Sequence, residues 1–407
     1  MKKTILLLSY LFAGAAVKAQ DTTAVSMKKS TEAAAATTPT ESVPQGKFTF
    51  SGYMDTYYFG NFNNPKSQSN LGVNGESVGN ARAFDQRAGQ FSIGLIQAKA
   101  AYGSEKVDAV MDLTFGPNAD LGNYGNNIGP LGSGSTALAI KQAYITLKAS
   151  SKLSFTAGQF GTHIGYEVID APVNFNYSLS NLFNNGPFYH IGLKAQYAFS
   201  DRVSLMLGVV NNVDNLNDNN KKKGLIGQLF FAPVSGWNVY LNGIISNEAS
   251  QDVAGVPADD ANYSLFDLTT TYQITPKFFL GLNAATGSQK GDFQNTGFLG
   301  TGDPTQARTW GGVAVYSNYA FTDKFAFGVR YEVFDNKSGV RALTDATGAG
   351  ASVNSITFTG NITAADGHIL LKPELRLDSY SANKFEKNDG SLTKSQTTLG
   401  MAAIFKF

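Results

Sequence analysis

The chain has 407 residues, a formal net charge of +1, 43 glycines, 12% aromatic and 15% charged residues, and no cysteine. The missing thiols exclude disulfide scaffolds, thiolate zinc sites and cysteine nucleophiles, and a mean hydropathy of −0.14 excludes a bundle of membrane helices, each of which needs ~20 consecutive apolar residues. The near-neutral charge gives no support to a nucleic-acid partner.

In chain order, Lys2 and Lys3 form a positive start, Ile5 to Val17 an apolar run of export-signal length, and Val17-Lys18-Ala19 a cleavage site before Gln20. Residues 1–19 are therefore expected to be a signal peptide, and their removal takes Lys2, Lys3 and Lys18 away and the net charge to −2. Residues 20–46 are Ala, Thr, Ser, Glu and Pro without periodicity, and are expected to form a flexible periplasmic leader.

From Lys47 onward the pattern has period two. Val107, Ala109, Met111, Leu113 and Phe115 alternate with Asp108, Val110, Asp112 and Thr114, and Leu371, Leu375 and Leu377 with Lys372, Glu374, Arg376 and Asp378. On a strand each segment then has one apolar and one polar face. A hairpin motif recurs at Tyr197–Gly208, Tyr272–Gly281 and Tyr319–Gly328: an aromatic, a small turn residue, a base, and an apolar alternation ending on glycine. Strands are predicted near 47–59, 90–102, 107–116, 137–148, 153–160, 188–199, 203–211 and 224–232. The rest are predicted near 237–246, 262–273, 278–286, 307–320, 325–334, 353–363, 369–380 and 393–407. Loops of three to five residues alternate strictly with polar connections of roughly 12 to 30 residues.

That alternation separates a membrane barrel from a soluble sandwich, whose Greek-key connections follow no such rule. Closure is also a physical requirement, because an open sheet edge in lipid leaves N–H and C=O groups unsatisfied. The predicted fold for residues 47–407 is an all-β, transmembrane, antiparallel up-and-down β-barrel of about sixteen strands, with short periplasmic turns and long external loops, in outer-membrane lipid. Tyr197, Phe199, Phe278, Phe279, Tyr319, Phe321 and Phe325 cluster near the turns and are predicted to form an interfacial girdle. The chain closes on Phe407. A terminal aromatic on a last amphipathic strand resembles the assembly signal of bacterial outer-membrane barrels, which implies the barrel-assembly machinery as a partner.

With the apolar face toward lipid, Asp108, Asp112, Lys141, Lys194, Arg330, Glu332, Lys372, Glu374, Arg376 and Asp378 are predicted to line the lumen. Both signs are present, so this lining predicts no strong ion selectivity. One long connection differs from the others: residues 161–187 carry Ile164, Tyr166, Val168, Ile169, Phe175, Tyr177, Leu182 and Phe183. So apolar a loop is costly in water and is expected to pack into the lumen, narrowing it with His163, Glu167 and Asp170 near the constriction. An external cap and an oligomer contact are the alternatives.

The block Gly158-Gln-Phe-Gly-Thr-His-Ile-Gly-Tyr-Glu167, followed by Asn174, Ser178, Ser180 and Pro187-Phe-Tyr-His-Ile-Gly192, resembles the β-barrel porin-2 family described as OmpL-like, common in Bacteroidota. Beyond this block the resemblance extends over most of residues 47–407 through the hairpin rhythm. It implies an outer-membrane diffusion channel for small hydrophilic solutes, without naming a solute. A homotrimer is what other sixteen-stranded porins form, and is the corresponding expectation for assembly.

Enzymatic and metal chemistry find little support. The three histidines, His163, His190 and His368, have no nucleophile motif such as G-x-S-x-G beside them, and no phosphate-binding loop occurs. Asp214 to Asn220 imitates a calcium loop, but Leu216 stands at the third position and no glutamate at the twelfth; a hydrated external loop is expected there. Residues 21–46 are too few for the plug of a 22-stranded receptor. The reading is a passive porin without enzymatic activity, cofactor or bound metal. Its alternatives are a non-conducting structural or surface-interaction barrel and an outer-membrane lipid hydrolase.

Overall fold

Period-two sequence becomes period-two burial. The computed structural model describes residues 46–407 apart from 73–81, 83, 122–137, 212, 215, 219, 248, 250, 251, 253, 254, 292–302, 342–344, 346 and 348. The expected signal peptide and nearly all of the expected leader lie outside the described residues. In chain order the strands are β1 (Lys47–Asn61), β2 (Phe91–Gly103), β3 (Val107–Phe115), β4 (Leu138–Lys148), β5 (Leu153–Gly161) and β6 (Tyr189–Ser200). Next come β7 (Val203–Val210), β8 (Gly224–Phe231), β9 (Trp237–Asn247), β10 (Asn262–Gln273), β11 (Phe278–Gln289) and β12 (Arg308–Ala320). The last are β13 (Phe325–Asp335), β14 (Ser352–Ala364), β15 (Ile369–Tyr380), β16 (Phe385–Glu386), β17 (Leu392–Thr393) and β18 (Ser395–Lys406).

Among the described residues, β1–β15 and β18 pair antiparallel with their chain neighbours, and β18 closes on β1 through a register that pairs Tyr53 with Lys406 and Asn61 with Thr398. This is a closed sixteen-stranded up-and-down barrel. β16 and β17 form a small separate hairpin inside the last long connection, where the sequence predicted only a polar connection.

Along β13, Phe327, Tyr331 and Val333 are exposed while Ala326, Arg330, Glu332 and Phe334 are buried. The same alternation on β6 turns Leu193, Tyr197 and Phe199 outward. Outward apolar side chains suit hydrocarbon, and ring closure satisfies every strand edge. The short turns hold two to five residues; the shortest is Asp201-Arg202, where Ser200 pairs directly with Val203. Beside these turns Tyr197, Phe199, Tyr319, Phe321 and Phe325 face outward. Phe279 does not. It is 4% exposed and packs on Phe175, ring centroids 5.3 Å apart. One residue's difference from Phe278 puts it on the inner face.

Candidate functional site

The inside of the barrel is crossed by chain. Residues 162–188, between β5 and β6, fold within the ring of strands and carry one short helix, α1 (Asn181–Asn185), capped by Ser180, whose hydroxyl accepts from Phe183 N. Asn174 closes a turn of this insert by donating to the Val168 carbonyl at 2.6 Å and accepting from Val168 N at 3.1 Å. The insert approaches the wall so closely that a Cβ at Gly281 on β11 would lie 2.8 Å from the Tyr166 ring, which stacks on Tyr316 of β12 at 4.0 Å.

Its attachment to β13, β14 and β15 runs through charge meeting backbone. Glu332 accepts from Asn181 N and Leu182 N, both at 2.9 Å, and from Asn181 Nδ2 at 2.7 Å. Glu374 accepts from Tyr177 N at 2.8 Å, Ser178 N at 3.1 Å and the Thr359 hydroxyl at 2.8 Å. Cations hold the opposite groups. Arg330 donates to the Ser178 carbonyl at 2.6 Å and pairs with Glu167 at 2.5 Å. Arg376 donates to the Leu179 carbonyl at 2.8 Å, and Lys372 to the carbonyls of Ala171, at 2.8 Å, and Asn174. An irregular segment must find partners for its amides and carbonyls, and these ionised side chains supply short, charge-assisted bonds.

A second inserted piece was not legible in the sequence. The connection between β1 and β2, read as an external polar loop, sends Arg82, Phe84 and Asp85 into the same space, exposed by 1%, 6% and 1%. Arg82 pairs with Asp85 and with Asp378 of β15, and donates to the Thr398 hydroxyl of β18 at 2.8 Å. Phe84 packs on Leu179 and Phe183 of the other insert. A lone Arg-x-x-Asp in a glycine-rich loop carries no periodicity; the inward partner Asp378 is nearly 300 residues away.

The ten side chains expected to line the lumen lie on the inward face, with two different surroundings. Asp112, Arg330, Glu332, Lys372, Glu374, Arg376 and Asp378 are at most 2% exposed, so they do not line open water: they sit beneath the inserts or in pairs beside them. Asp108, Lys141 and Lys194 are only partly buried. Lys194 lies over the Phe160 ring, 4.3 Å from its centroid, and Asp108 pairs with Lys148 at 2.7 Å.

The three residues placed at the constriction spread across the insert. His163 Nε2 donates to the Gly243 carbonyl of β9 at 3.1 Å, Glu167 meets Arg330, and Asp170 meets Lys141 and accepts from Gln97 at 2.9 Å. His190 bonds the Thr162 hydroxyl at 3.1 Å, and His368 the Lys406 carbonyl at 2.8 Å in a periplasmic turn. The imitation calcium loop has a structural task at its first residue. Asp214 is 2% exposed and accepts from Phe188 N at 2.6 Å and Tyr189 N at 2.9 Å, pinning the end of the insert. Burial pushes its carboxyl up to about 7.

The comparisons agree with this architecture. The model of the family described as "Putative beta-barrel porin-2, OmpL-like" matches residues 47–407. No curated protein sequence matches the chain significantly. Among solved structures it is similar to the outer-membrane channel DcaP of Acinetobacter baumannii, with a TM-score of 0.57, 12% identity, and 89% of this chain and 97% of that one covered. OmpF of Salmonella typhi gives 0.56 at 10% identity, covering 89% and 98%. In-vitro folded OmpT of Vibrio cholerae, in its trimer form, gives 0.52 at 12% identity, covering 89% and 99%. At such identities these likenesses speak for the fold.

Proposed function

The chain belongs to the β-barrel porin-2, OmpL-like family of outer-membrane porins, and from that premise we propose that it gives passive diffusion of small hydrophilic solutes through a lumen narrowed by residues 162–188. The observation that carries this reading is the wall-to-wall insert. A sixteen-stranded barrel is wide enough for an aqueous channel, and in this reading solutes pass in the space beside the insert. A diffusion channel selects by radius and by the charges at its surface, with no binding cycle. Rigid narrowing suits that task, and the paired carboxylates and cations give it a fixed position. Phe407, exposed and paired by its backbone with Gly52, is proposed as the assembly signal. The trimer form of the similar OmpT supports a homotrimer.

Stepwise currents from pure refolded protein in planar bilayers are expected, and their absence would favour the second reading, a non-conducting surface barrel, which the crowding of the lumen by two inserts favours. The narrowing has its own test. Gly161 pairs with Tyr189, so the hairpin can close without the insert. Replacing residues 168–184 by a short Gly-Ser linker is expected to raise unit conductance; an unchanged value removes the insert from the conduction path.

A further inference from the structure

Resting on the porin reading, we infer that the passage prefers small anions, and that the preference is set by lysines on the inward faces of β2, β4, β6 and β18. Counted over the sequence, the inward charges of the two signs nearly balance. Burial separates them. On β13–β15, Glu332 and Glu374 each face two backbone N–H groups of the insert, whose dipoles offset negative charge. Glu167, Asp85 and Asp378 each have an arginine partner. These groups are out of contact with water, and their fields fall mainly on one another.

The charges that remain in contact with the lumen differ in sign balance. Lys141 and Lys148 keep side-chain exposures of 11% and 21%. Lys99, Lys194 and Lys406 are likewise only partly buried. Lys99 stands two residues beyond Gln97, which bonds Asp112 and Asp170 inside the barrel. Lys406 stands two beyond Ile404, which is fully buried; period two turns both lysines inward. Against these five stand three inward carboxylates that they pair with among the described residues: Asp108, at 18%, with Lys148, and Asp170, at 24%, and the buried Asp112, both with Lys141, which leaves the lysines in excess.

The same stretch of wall carries a small, water-sized recess beside Lys194. This recess, on the inner face of β4–β6, is lined by Gln142, Tyr144, Thr146, Thr156, Lys194 and Gln196, and no residue of 162–188 enters it. Its amides and hydroxyls carry no net charge, so the sign of the field at this wall is set by the lysines. A surface rich in one sign raises the local concentration of the opposite ion, and the low-dielectric barrel wall concentrates that field across the opening. The ligand class is a small hydrated anion, chloride being the simplest probe.

The test is the zero-current potential of the full refolded channel across a tenfold potassium chloride gradient. Wild type is expected to pass chloride over potassium by at least about twofold. The preference should grow as both salt concentrations are lowered, because the Debye length lengthens from ~3 Å at 1 M to ~10 Å at 0.1 M. The double variant Lys99→Gln/Lys194→Gln should bring the ratio close to one, while Lys99→Arg/Lys194→Arg, of equal charge, keeps it and shows that the sites tolerate replacement. A wild-type channel that prefers potassium, or a glutamine variant that keeps the wild-type ratio, overturns the inference and leaves the porin reading standing. A barrel that carries no current overturns both.

Discussion

On β13–β15 the inward charges lie under inserted backbone: Arg330, Glu332, Lys372, Glu374 and Arg376 are at most 2% exposed and bond residues 167–182. On β2–β6, Lys99, Lys148 and Lys194 occupy the same inward positions of the same period-two pattern and stay in contact with the lumen. The two walls are built from one residue vocabulary and divide the labour. One holds the insert; the other faces what passes it. A charge turned away from lipid is therefore not by that fact a channel charge. What decides is whether a piece of chain lies over it.

The comparison breaks first at Arg330. Arg330→Met leaves Glu167 buried beside Ser180 N without its cation, and breaking a buried pair from one side costs about 3–5 kcal/mol. Denaturant unfolding in detergent should show that loss, and proteolysis should open residues 162–188. A second replacement, Glu167→Gln, should recover part of it, because the stranded charge is then gone. A loss below about 1 kcal/mol in the single variant would mean that this wall does not hold the insert. Glu332→Gln is the next largest. It keeps one carbonyl oxygen for the amides of Asn181 and Leu182 and turns an N–H donor toward the rest, at about 1.5–3 kcal/mol. Hydrogen exchange should quicken at those two amides and remain unchanged in β7–β9.

These outcomes also mark what a sequence can disclose. The strands were legible because lipid outside and polar lumen inside impose one period on sixteen segments, and every predicted strand lies within three residues of an observed one. The insert was legible for the same reason in reverse: Ile164, Tyr166, Leu182 and their neighbours are too apolar for an external loop. Its anchors were not, since the partner of Glu332 is backbone, which is the same at every residue. Arg82 and Asp85 were missed because an arginine in a glycine-rich loop looks hydrated until Asp378 is brought beside it. Phe279 was misassigned by parity, one position from Phe278, which a girdle counted by composition does not register.

Asp214 sharpens the same contrast through pH. Burial holds its carboxyl at about 7 in the fold against 3.8 in an exposed chain. A group whose folded value is raised contributes stability that is complete below about 4 and is lost as pH rises through about 7. Wild type should therefore lose melting temperature between pH 5 and 8 relative to Asp214→Asn, which cannot titrate there. Parallel curves for the two proteins would mean that Asp214 does not titrate differently in the fold.

The smallest stability effect is expected on the open wall, and it tests the division most directly. Lys148 pairs with Asp108 at 2.7 Å, with the two side chains 21% and 18% exposed. A pair in contact with water is worth about 0.2–1 kcal/mol, since solvent and salt screen it. Lys148→Gln should thus leave the unfolding midpoint and the protease resistance of residues 162–188 close to wild type. It leaves Asp108 without that lysine at the edge of the passage, so its signature should be electrical, a lower chloride preference in the intact barrel. If Lys148→Gln instead releases the insert as Arg330→Met is expected to do, the two walls share one structural role and the division between holding and conducting fails.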